Sequence, residues 1–199
     1  TVVYTGDTPG GHSPGAMRVT SSGSYVLATN TTGTPAGVTG LDGRLDNLTA
    51  FTFSIWLKLG STDAAAFASL DRIVRAGATG GFGLRVSAPA AGTLGIDNFG
   101  LTLDINSGGA PFTNVSIDAA SEWAFLAVSV NLADPLNRVA SLYYGTESTP
   151  VDMVSAISLA TTPNSGVISN GMMIGGLPGS TTRHVTGSFD DLRGYTGDG

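Results

Sequence analysis

An all-β sandwich is the fold this sequence predicts, and three observations carry the prediction. Apolar residues recur at period two in several short segments. Clusters of Gly, Asn, Asp, Ser or Pro separate those segments at roughly the 8–12-residue spacing of a sandwich or barrel. The 29 glycines and 9 prolines stand beside a hydrophobic fraction of 41%, so the chain has many turns and still enough apolar side chains to build a core.

The clearest strand is Thr52 to Leu59, which puts Phe51, Phe53, Ile55, Leu57 and Leu59 on one face and Thr52, Ser54, Trp56 and Lys58 on the other. Shorter alternation marks Ala16 to Val19 and Ser24 to Ala28. Further strands are expected over Arg72 to Arg75, Gly83 to Val86, Leu94 to Phe99, Leu101 to Ile105, Ala124 to Val130, Ala140 to Tyr144, Gly171 to Ile174 and Gly187 to Tyr195. Only Thr62 to Leu70 departs from the pattern, where Asp63 caps an expected short helical turn. No repeat of 20–50 residues is present, which argues against propellers and solenoids.

With 199 residues and no linker or second composition regime, a single domain over 1–199 is expected. Nine Lys plus Arg against 15 Asp plus Glu give a net charge of −6, the wrong sign for a nucleic-acid footprint. The lack of cysteine removes disulfides, thiol nucleophiles and thiolate metal sites. No apolar run approaches the roughly 18 residues of a membrane span, so no membrane insertion is expected. The sequence begins at Thr1 with neither Met nor a hydrophobic leader, which fits a processed protein that is secreted, extracellular or held at the cell surface.

The order of segments resembles the laminin-G-like, concanavalin-A-like lectin and glucanase superfamily. The resemblance is carried by Ser24-Tyr25-Val26, by Leu48 to Lys58, by Glu122-Trp123 running into Ala124 to Val130, by Val139 to Gly145, by Met173 to Gly176, and by Gly187-Ser188-Phe189-Asp190-Asp191-Leu192-Arg193-Gly194-Tyr195. It spans about Ala16 to Tyr195 and implies a two-sheet antiparallel jelly roll. Function is not implied, since the superfamily includes lectins, adhesion domains, hydrolases and lyases.

A hydrolase site on such a fold needs two carboxylates in one groove, and neither Glu122 nor Glu147 has an acidic residue two positions away. Asp190 and Asp191 are adjacent, so in a regular strand they face opposite sides; Asp104 reads as an outward polar position. Gly11-His12-Ser13-Pro14-Gly15 imitates a nucleophile elbow, but Pro14 has no N–H for an oxyanion hole. His12 and His184 lie in loop-like stretches, and the basic and tyrosine constellation of lyases is not legible. No enzyme is therefore expected, and no catalytic residue is assigned.

Calcium is the one cofactor the resemblance suggests, as a structural ion held by Asp190 and Asp191 with Asp7 from the N-terminal loop. The alternative for Asp191 is an ion pair with Arg193. A second loop, Leu41 to Asn47, lacks the alternating oxygens of an EF-hand. Glycan stacking needs exposed rings, and Phe99, Phe112 with Asn114, and Tyr144 are the candidates; Trp123 reads as core, and Trp56 as sheet surface or core. In Tyr143-Tyr144 one ring must point inward and one outward. Sequons occur at Asn30, Asn47 and Asn114.

These readings combine into an expected non-catalytic extracellular module that binds polysaccharide. The alternative is a self-assembling structural or adhesive subunit, suggested by the single lysine, the 12% charged content and a mean hydropathy of +0.20.

Overall fold

The computed structural model describes residues 2–5, 9, 16–19, 26–28, 49–59, 72–76, 81–87, 98–105, 108–112, 117–119, 122–160, 172–176 and 185–196. The expected helical turn over Thr62 to Leu70, both histidines, the second acidic loop and the three sequons lie outside these residues. In chain order the strands are β1 (Val2–Thr5), β2 (Ala16–Val19), β3 (Val26–Ala28), β4 (Ala50–Leu59), β5 (Arg72–Ala76), β6 (Phe82–Ser87) and β7 (Asn98–Ile105). They continue with β8 (Gly108–Pro111), β9 (Ile117–Asp118), β10 (Ala124–Asn131), β11 (Val139–Thr146), β12 (Asp152–Ser158), β13 (Met172–Ile174) and β14 (Gly187–Thr196).

Two antiparallel sheets form a jelly-roll β-sandwich. The first has the order β1-β2-β14-β4-β10-β11-β12, and the second β3-β13-β5-β6-β7-β8, with β9 also paired to β7. Alternation decides which residues meet between the sheets. Phe51, Phe53, Ile55, Leu57 and Leu59 of β4 join Leu126, Val128 and Val130 of β10 on one side of the core; Phe82, Leu84 and Val86 of β6 join Leu101, Leu103 and Ile105 of β7 on the other. The Phe82 ring closes the two layers, 4.4 Å from the Phe51 centroid and 5.7 Å from that of Phe53. Phe82→Ala is expected to cost about 3–5 kcal/mol, the lost transfer energy of a buried ring plus the cavity left behind, read as a lower urea midpoint.

Two expected ligand residues belong to this core. Phe99 stands at the end of an expected strand and is a glycan candidate, but β7 runs without a break through Gly100, so Phe99, Leu101, Leu103 and Ile105 all face inward and Phe99 is 1% exposed. Phe112 is turned into the core by its amide, which donates to the Leu101 carbonyl at 2.9 Å, and it is 4% exposed. Neither ring is open to a sugar. Trp123 is buried, as its position suggested.

Bulges set the outward faces. On β5, Arg72 lies opposite Arg85 and Val74 opposite Leu84, so Ile73 is an extra residue. Arg72 and Arg75, three apart, would otherwise point to opposite faces; the bulge puts them on the same one. On β14, Asp190 faces Trp56 and Arg193 faces Ser54, so Asp191 and Leu192 together oppose Ile55. Asp191 absorbs the distortion at φ 48°, in the left-handed region that aspartate tolerates better than most side chains. Leu192 packs against the core, and Arg193 and Tyr195 turn outward.

Candidate functional site

The outer face of the first sheet collects aromatic, hydroxyl and charged side chains. Its cross-strand rows follow from the register. One runs Asp190, Trp56, Phe125, Gly145; the next runs Arg193, Ser54, Ala127, Tyr143, Met153; the third runs Tyr195, Thr52, Ser129, Ser141, Ala156. Ser54 and Ala127 are small and buried, and they make a low floor at the centre of the middle row. Half-buried rings rise around it: Trp56 and Phe125 meet edge to face at 5.3 Å, and Tyr143 stands beyond Ala127. Thr52 donates its hydroxyl hydrogen to Ser129 Oγ at 3.1 Å, tying β4 to β10 along the lower margin.

Arg193 stands at the β14 end of the floor. Its Nε donates to Asp191 Oδ1 at 2.7 Å, and both side chains are open to solvent. Its guanidinium also reaches the Tyr195 hydroxyl, and these two hydrogen bonds, Asp191 first, hold its pKa above the ordinary arginine value. Tyr195 is 54% exposed. The sheet therefore offers a cation and a phenol side by side, with aromatic faces a diagonal step away.

The expected sites fall out differently. Of the two tyrosines, Tyr144 is the inward one: it packs against the core and its hydroxyl donates to the Asp118 carbonyl at 3.0 Å. Tyr144 is thus corrected from ligand residue to packing residue, and Tyr143 takes the outward place. Desolvation raises the Tyr144 pKa above the ordinary tyrosine value, against a smaller lowering by its bond to Asp118. A phenol whose folded pKa is raised stabilises the fold below its unfolded pKa and loses that contribution as pH rises through the folded value. Unfolding midpoints measured across the alkaline range should fall for the wild type, and less steeply for Tyr144→Phe.

Asn114 and Asp7 lie outside the described residues. Asp190 and Asp191 sit together at the bulge, where Asp191 Oδ1 holds Arg193 and Asp190 Oδ1 accepts from the Asp191 amide at 2.8 Å. Among the described residues no three His, Asp or Glu side chains are grouped to hold a metal.

The second sheet carries a charged cluster that sequence reasoning missed. Asp104 does point away from the core, yet it is 4% exposed and receives three arginines: Arg72 at 2.9 Å, Arg85 at 3.1 Å and Arg75 at 3.9 Å. Two glycines make room for it. The cross-strand row is Arg75, Gly83, Asp104, Gly109. A Cβ on Gly83 would come within 2.8 Å of Arg75 Cδ, and one on Gly109 would collide with the Arg85 guanidinium. Burial pushes the Arg75 pKa down; Asp104 opposes that shift and Arg85 adds to it. The side chains of Arg72, Arg75 and Asp104 are all at most 8% exposed, so the cluster fastens β5, β6 and β7 together and leaves little surface for a polymer.

No protein-family model matches the chain, and no curated protein sequence matches it. Among solved structures it is similar to the marine PL-14 alginate lyase from Aplysia kurodai, at 10% sequence identity and a TM-score of 0.55, over 98% of this chain and 87% of that one. The two share a jelly-roll sandwich. This finding overturns the expectation of a non-catalytic module, its alternative of a structural subunit, and the reading that the chain is no enzyme. The physical reason lies in the criteria applied: paired carboxylates and an oriented histidine belong to hydrolysis and triad chemistry, whereas elimination asks for a cation beside a proton acceptor. The outward, side-by-side placement of Arg193 and Tyr195 was not legible because the β14 bulge reverses their facing. Its sequence signal was the Asp191/Arg193 pairing, which reads equally well as an ordinary surface contact.

Proposed function

We propose that this protein is a polysaccharide lyase whose substrate chain lies across the outer face of the first sheet. The observation that carries the reading is the pairing of Arg193 with Tyr195 beside the Trp56 and Phe125 rings, over the floor of Ser54 and Ala127. The fold shared with an alginate lyase adds to it.

Elimination from a uronate needs its carboxylate neutralised, so that the proton on the adjacent ring carbon becomes acidic. Arg193 supplies the charge. The proton to be removed lies one carbon from that carboxylate, so the base must stand next to the same cation. Tyr195 does, whereas Tyr143 stands three strands from β14, about 14 Å at the usual strand spacing. In the reaction Tyr195 acts as the base and takes the C5 proton at its Oη. The C5–H electron pair becomes the C4–C5 double bond, the C4–O bond breaks, and the leaving oxygen takes back a proton from Tyr195 or from water. Trp56 and Phe125 hold neighbouring sugar rings by their faces. Such a substrate is an extracellular polymer, and secretion is part of the proposal.

The experiment is incubation with alginate, polygalacturonate and glycosaminoglycans, with unsaturated ends followed by ultraviolet absorbance and mass spectrometry. Accumulation of unsaturated oligosaccharides on one of them is the expected result. Intact polymers throughout, with folded protein, would refute the lyase reading.

A further inference from the structure

We infer that Asp191 occupies the place of a substrate carboxylate, so that an acidic sugar unit binds by exchanging with it on Arg193. The inference rests on the reading of this face as the polysaccharide surface, and it assigns the selection of carboxylated units to one residue pair.

Four observations support it. Asp191 meets Arg193 through Nε at 2.7 Å, and the other partner of the guanidinium is the Tyr195 hydroxyl rather than a second carboxylate oxygen, so the two-bonded carboxylate pairing is not made within the protein. Both side chains are open, at 43% and 59% exposure, so a ligand can approach and Asp191 can swing away. The pair sits at a bulge, with Asp191 at φ 48° opposite Ile55, between the row that holds Trp56 and the row that holds Ser54. The other cations at described register positions of this sheet's outward rows stand elsewhere: Lys58 on β4 and Arg18 on β2 both lie opposite Ser188 rather than Arg193.

Magnitude makes the exchange feasible. An exposed ion pair contributes little, because water and salt already screen it, so displacing Asp191 takes up to about fivefold from ligand affinity. A ligand carboxylate that spans the guanidinium edge makes two parallel hydrogen bonds where Asp191 makes one. A neutral sugar gains nothing from the exchange and meets an Arg193 that stays occupied. The pair thus discriminates against neutral chains as well as favouring acidic ones.

The test is equilibrium binding by calorimetry of an oligouronate and of the same oligosaccharide with its carboxyl groups reduced. Asp191→Asn keeps the shape and the tolerance for positive φ but removes the competing charge. It should tighten oligouronate binding by about two- to fivefold and leave the reduced ligand unchanged. Asp152→Asn, an exposed change of equal charge on β12, should alter neither, and Arg193→Gln should abolish the preference for the acidic ligand. Equal effects of Asp191→Asn and Asp152→Asn would overturn the inference, because the gain would then reflect net charge alone. So would acidic and reduced ligands binding alike to the wild type. Carboxylate-selective binding that follows this pattern without any unsaturated product would support the exchange while refuting the lyase reading.

Discussion

Replacing Asp104 with alanine should destabilise the protein by about 3–5 kcal/mol, the usual cost of breaking a buried ion pair by removing one partner. Arg72 and Arg75 are both under 9% exposed and would lose the carboxylate that faces them. Urea unfolding with unchanged m-value measures the loss. The cost belongs to stranded charge rather than to a missing contact, and a combined variant separates the two. Changing Arg72, Arg75 and Arg85 to Met together with Asp104→Leu should recover most of the lost stability, since apolar replacement of a whole buried network is often neutral or better. Recovery would identify the cluster as a fastening of β5, β6 and β7, and activity on polysaccharide should survive it. Loss of activity in a stably folded combined variant would move the site to the second sheet.

Tyr195→Phe should lower turnover by about 10²- to 10⁴-fold while leaving oligouronate binding nearly intact. The phenylalanine ring keeps the outward position opposite Thr52 and loses only the hydroxyl that reaches Arg193. Arg193→Gln should instead weaken both binding and turnover, because the carboxylate it neutralises is present in the ground state and gains charge in the transition state. Steady-state and single-turnover rates of unsaturated product separate these outcomes. A Tyr195→Phe enzyme as fast as the wild type would remove Tyr195 from the chemistry.

How much was legible in the sequence depended on whether period two held. Over β4 it held for ten residues, and every inward residue from Phe51 to Leu59 was correctly assigned. On β7 a single glycine looked like a break. Reading Gly100 as a break between two strands left Phe99 as a candidate exposed ring, when the alternation through Leu101 already placed it in the core. The two side-chain clusters were lost for another reason. Each depends on a bulge, at Ile73 for Arg72 and Arg75 and at Asp191 for Arg193 and Tyr195, and a bulge reverses the facing of all that follows it. Asp104 shows the same limit from the other side. Its outward direction followed from alternation, but its burial came from three arginines on two other strands. No local pattern records those contacts.

The crystal structure of Tyr195→Phe protein with an uncleaved oligouronate tests the central claim most directly, because both outer faces are then open to inspection at once. The account predicts sugar rings running across β14, β4 and β10, stacked on Trp56 and Phe125, with one carboxylate on the Arg193 guanidinium and Asp191 turned aside. Sugar seated instead over Arg85 and Gly109 on the second sheet, with the Trp56 face bare, would contradict it.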